Sequence, residues 1–124
     1  MEIIDMPFLK STTTVKVHGA FTFLSAGDLI YRLDEALERV QQAKPSENVQ
    51  ISCHFRFLDT RCKKLVFKYL SQIEEYQLKN SEKHITINWK YDWFDDDIID
   101  FGLLSEESFQ LKFEHVEYDR ADVV

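Results

Sequence analysis

Apolar and polar residues alternate with a period of two over Thr14-Val15-Lys16-Val17-His18, which marks a strand with Val15 and Val17 on one face. Gly19-Ala20 offers a turn, and Phe21-Thr22-Phe23 reads as a short second strand. Ile3 to Phe8 reads as an edge strand, weakened by Pro7, which cannot donate to a ladder. The period then lengthens. Leu29, Ile30, Leu33, Leu37 and Val40 form a helical stripe that begins near Ser25 and stops at Lys44-Pro45. Ser25 and Asp28 have the spacing of a capping box.

Strict alternation returns over Val49 to Phe57. A helix runs from Asp59 or Thr60 to about Lys79, with Cys62, Val66, Tyr69, Leu70 and Ile73 on its apolar side. His84 to Tyr91 alternates again. A third helix comes after Asp92, with Asp95, Asp96 and Asp97 in its first turn, where the helix dipole favours negative charge. Gly102 should weaken that helix by ~1 kcal/mol relative to Ala. Phe109 to Glu114 reads as the last strand, and Tyr118 to Val124 as a frayed tail.

Helices and strands in alternation imply an α/β domain with parallel pairs. Strands covered on both faces should be apolar on both. These alternate, so the expectation is two layers: a mixed, mostly parallel sheet of about five strands, with about three helices mainly on one face. No linker or repeat breaks the chain, and residues 1–124 read as a single domain.

Charge adds a second feature. The net charge is -7, which disfavours nucleic acid and anionic membranes as partners. Yet the polar sheet face carries Lys16, Arg56, Lys90 and Lys112 with His18 and His54, against Glu114. It reads as a solvated surface or as a docking face for an acidic partner or a second copy. Cys53 and Cys62 fall at apolar-periodic positions, as buried thiols do. With an acidic amino terminus and no apolar run long enough to span a bilayer, they point to a cytoplasmic protein.

Catalytic constellations are missing. The sequence has no Gly-rich phosphate loop and no Gly-x-Ser-x-Gly elbow, and its histidines lack metal-ligand spacing. The acidic run from Asp92 to Asp100 fails as a calcium loop, because Asp97 stands where a glycine is required. It reads as a capped helix start, with Asp92, Asp95 and Asp96 as candidate partner contacts. No enzyme, metal or cofactor is expected. Trp89 and Tyr91 share the apolar strand face. Trp93 has the opposite parity; packing at the start of the helix is the plain reading, and an exposed indole there would be a partner anchor.

The turn Phe57-Leu58-Asp59-Thr60 carries more. Its free N–H groups and dipole suit an anion, while Arg61, Lys63 and Lys64 crowd the first helical turn at a cost of ~0.3–1 kcal/mol each. A phosphate on Thr60 would bring roughly -1.5 to -2 charge units and turn that cost into attraction. Local chemistry leaves two readings, a plain N-cap at Asp59 or Thr60 and a modification site at Thr60.

An alternating strand ending in Phe57-Leu58-Asp59-Thr60 resembles the SiaC family of bacterial regulatory phosphoproteins, themselves similar to the STAS-type anti-sigma-factor antagonists. The family turn reads aromatic-Leu-Asn-Thr, so Asp59 stands in place of Asn. Trp89-Lys90-Tyr91-Asp92, leading into acidic residues and a helix, is a second match. The resemblance implies a STAS-like fold and partner switching without catalysis. Thr60 would be the phosphoacceptor of a Ser/Thr kinase, reversed by a PP2C-like phosphatase, with Leu58, Asp59, Arg61, Lys63 and Lys64 forming the switch turn. The unmodified protein would activate an effector such as a diguanylate cyclase. Arg56, Lys90, Asp92, Trp93, Asp95 and Asp96 are candidate contacts to that effector. The alternative is a constitutive interaction or dimerisation module that uses the polar sheet face.

Overall fold

Each of the first three described strands leads into a helix that returns the chain to lay the next strand parallel to the last. The computed structural model describes residues 11–45 and 47–118. The order is β1 (Thr12–Phe21), α1 (Ala26–Gln42), β2 (Asn48–Leu58), α2 (Thr60–Lys79), β3 (His84–Asp92), α3 (Asp96–Ser108) and β4 (Lys112–Tyr118). The sheet runs β1-β2-β3-β4, and all three pairings are parallel. Odd-numbered strand residues such as Val17, Ile51, Phe55, Ile87, Trp89 and Phe113 form one core with buried residues of all three helices. The helices therefore share one face of the sheet. The other face, among the described residues, has no helix over it.

The expected two layers are present, with corrections. Four strands are described instead of about five, and among the described residues every pairing is parallel. Phe21 ends β1 and makes no second strand with Phe23. Instead, Thr22 caps a single 3-10 turn at Phe23–Ser25. Its hydroxyl accepts from the Leu24 N–H at 3.3 Å, and its own N–H donates to the Ser25 hydroxyl at 3.0 Å. Ser25 is thus used by Thr22 and makes no side-chain cap to α1; Asp28 pairs with Arg32 at 3.2 Å instead. The expected edge strand at Ile3 to Phe8 lies outside the described residues.

The last strand starts three residues later than expected, at Lys112 instead of Phe109. Phe109 closes α3, its N–H donating to Ser105 O at 3.1 Å, and its ring packs edge-on to Phe67 with centroids 4.9 Å apart. Gln110 therefore lies before the sheet. Phe109 and Leu111 keep the strand-like alternation only because both lean on the core from a loop. Tyr118, expected in the tail, is the last residue of β4.

Both thiols are buried, as their positions implied. Burial pushes Cys53 up to about 12. Burial, with the Asp59 carboxylate next to it, pushes Cys62 up to about 11. Neither is poised as a nucleophile, since it is the thiolate that reacts.

Candidate functional site at the carboxyl edge of the sheet

Because every described strand is parallel, all three described strand-to-helix connections emerge at one edge of the sheet. This is where open α/β sheets place their binding sites. The middle connection holds Thr60. Its approach is set by a bulge in β2: Gly19 pairs with Phe55 and Ala20 with Phe57, which leaves Arg56 as the extra residue. A bulge re-aims the side chains beyond it. Leu58 turns into the core and Phe57, which strict alternation placed inside, turns out to solvent. The Asp59 N–H then donates to Phe21 O at 3.3 Å, tying the turn to β1.

Asp59, not Thr60, caps α2. Its carboxylate accepts from the Cys62 N–H at 2.9 Å, and that bond is the main reason its carboxyl is held below the usual carboxylate range. Thr60 is the first helical residue and is exposed. No described side-chain hydrogen bond uses its hydroxyl, so the cap does not occupy it.

The three cations of this turn are not equivalent. Arg61 and Lys64 are exposed. Lys63 reaches across to α3, where its Nζ donates to Asp97 Oδ1 at 2.7 Å and lies 5.8 Å from the centre of the Phe101 ring. An ion pair thus links the Thr60 turn to the first turn of α3.

The third connection, Asp92 to Asp95, assigns the acidic residues separate duties. Asp92 faces the open side, where its Oδ1 lies 3.4 Å from His54 Nε2; the His54 ring in turn lies 4.7 Å from that of Tyr118. Asp95 caps α3, accepting from the Ile98 N–H at 3.2 Å. Asp96 is exposed. Trp93 does not pack at the helix start: it is 70% exposed and meets Phe94 edge-on at 5.6 Å. Trp89, by contrast, is fully buried.

The structure thus brings Arg56, Asp92, Trp93, Asp95 and Asp96 to the same edge as Thr60. Lys90 lies one step down the open face, level with His54 and His18. Sequence reasoning missed Phe23, Leu24, Phe57 and Phe94, all exposed here. A signal existed for one of them. Phe57-Leu58 puts two apolar residues in succession at the end of an alternating strand, which a bulge explains.

A family model described as "SiaC family regulatory phosphoprotein" matches residues 7–118. This chain belongs to the SiaC family of regulatory phosphoproteins. The two short motifs point the same way, and the match covers both. Among solved structures, a chain of the crystal structure of diguanylate cyclase SiaD in complex with its activator SiaC, from Pseudomonas aeruginosa, is similar in fold. The TM-score is 0.69 at 14% identity, covering 85% of this chain and 84% of that one. No curated protein matches the sequence. Among the described residues, no helix is long and apolar enough to cross a membrane.

Proposed function

We propose that this SiaC-family chain is a non-enzymatic partner switch of the cytoplasm, set by reversible phosphorylation of Thr60. A Ser/Thr kinase adds the phosphate and a PP2C-like phosphatase removes it. The unmodified form binds an effector, of which a diguanylate cyclase is the type suggested by the complex of the structural neighbour. The observation that carries this reading is the division of labour in the turn. Asp59 does the capping, so Thr60 stands exposed at the start of α2 with no structural duty of its own.

A phosphate on Thr60 would sit one turn from Lys63 and Lys64 and compete with Asp97 for the Lys63 ammonium. Drawing Lys63 away loosens the link to α3 and to the Trp93-Phe94 loop. Asp59, already ionised and engaged with Cys62, repels the phosphate and turns it toward the lysines.

Intact-mass measurement of the protein from its native cells, with and without phosphatase treatment, is expected to reveal one phosphate at Thr60. With the cognate effector, Thr60→Glu should bind about tenfold or more weakly than Thr60→Ala, a difference of ~1.4 kcal/mol. An unmodified Thr60 under all growth conditions, together with equal binding by the two variants, would sink the proposal.

The uncovered open face, with Lys90 level with His18 and His54 and Arg56 exposed at the bulge, favours a second reading as a constitutive module. It predicts that Arg56→Glu with Lys90→Glu abolishes effector binding while both Thr60 variants bind like wild type. The same titrations decide between the two.

A further inference from the structure

Five large apolar side chains stand in solvent around the Thr60 turn. Phe23 and Leu24 are 62% and 83% exposed in the connection after β1. Phe57 is 48% exposed at the end of β2. Trp93 and Phe94 are 70% and 65% exposed after β3. Single exposed apolar residues need no explanation, but a group of them gathered at one edge marks an interaction surface. Thr22 and Ser25 cap each other to hold the first pair in a fixed turn. The edge-on packing of Trp93 on Phe94 braces the second pair.

The spacing says what fits. Neighbouring strands lie ~4.8 Å apart, so the connections after β1 and β3 stand about 10 Å from each other, with Phe57 on β2 between them. An α-helix with its side chains is about 10–12 Å across. Charge says which helix. On the Trp93 side, Asp92 is engaged with His54, Asp95 with the cap and Asp97 with Lys63. Asp96 and Asp100 remain as exposed carboxylates along α3.

We propose that the rim of Phe23, Leu24, Phe57, Trp93 and Phe94 is a cradle for one amphipathic helix of a protein partner, with its apolar side against the aromatics and lysines or arginines along the edge facing Asp96 and Asp100. It rests on the effector-binding part of the proposed function, but not on whether Thr60 is modified. It also gives that function its sign. A phosphate on Thr60 would introduce charge beside the Phe57 floor, where an apolar helix face must shed water.

The test uses the full unmodified chain and a labelled Leu/Lys amphipathic peptide of about 18 residues, with a Leu/Glu peptide of the same pattern beside it. The Leu/Lys peptide should bind saturably by fluorescence anisotropy and shift Trp93 emission to the blue, with Trp93→Phe removing the shift. Trp93→Ala with Phe94→Ala should weaken binding by about tenfold or more with no loss of thermal stability, while Leu78→Ala, at the far end of α2, should leave it unchanged. Equal binding by the double variant, or tighter binding of the Leu/Glu peptide, overturns the proposal. So does a dimer, seen by sedimentation of the free protein, that the double variant abolishes, because it assigns the rim to a second copy. Rim variants that still accept phosphate at Thr60 but lose the peptide separate this surface from the switch.

Discussion

Gly102→Ala is expected to destabilise the protein by ~1–3 kcal/mol, the opposite of what helix propensity alone would give. A methyl group at Gly102 would stand 2.3 Å from Trp89 Nε1 and 2.4 Å from its Cδ1. The indole cannot step aside. Trp89 is fully buried, with Phe55, Phe101 and Phe113 around it, and its Nε1–H donates to Ile98 O at 3.0 Å. Ile98 is four residues before Gly102, so the same carbonyl also takes the helical bond from the Gly102 N–H. Helix and indole therefore converge on one oxygen, and only a residue without a side chain leaves room. Thermal unfolding should register a fall in Tm on the order of 10 °C. Gly27→Ala is the internal control: nothing lies within 4 Å of its added methyl, and it should stabilise by ~0.4–1 kcal/mol. If both substitutions stabilise, α3 is not seated on Trp89 in the way described.

Lys83→Met should cost ~2–3 kcal/mol in urea unfolding. Lys83 is buried in the connection between α2 and β3. Its ammonium donates to Val40 O at 3.2 Å and to Ala43 O, and it lies 5.1 Å from the centre of the Tyr76 ring. It thus satisfies orphan carbonyls at the end of α1, where the helix dipole is negative. Methionine preserves the stem and removes every donor, leaving buried acceptors unpaired. Tyr76 holds the same corner, its hydroxyl donating to Gln41 O at 3.4 Å. A loss below ~1 kcal/mol would mean that water reaches these carbonyls and the lysine is dispensable.

Both residues illustrate what local pattern conceals. Gly102 reads as a weak point of α3 because propensity counts only its own helix. Its partner, Trp89, lies on a strand. Lys83 has no distinguishing local signal, since a lysine in a polar loop is ordinary until α1 ends against it. The same limit applies at the Thr60 turn. Three cations in one helical turn are visible in the sequence, but only the packing of α2 beside α3 commits Lys63 to Asp97. Trp93 reads as a packing residue because tryptophan usually packs, and the loop carries it outward instead.

The sequence by itself determined the alternation of strands and helices, the polar sheet face and the crowding of cations after Asp59-Thr60. These depend on residues within one element, whose period of two or 3.6 is set by backbone geometry. Its two short motifs also sufficed to indicate the family. Tertiary structure alone decided the rest. The bulge at Arg56 comes from pairing with β1 and turns Phe57 outward. Parallel pairing brings the connections after β1, β2 and β3 to one edge, so Phe23, Leu24, Trp93 and Phe94 gather around Thr60 from positions far apart in the chain. Which strands pair, and where a bulge interrupts them, is decided only when segments distant in the chain meet in the sheet.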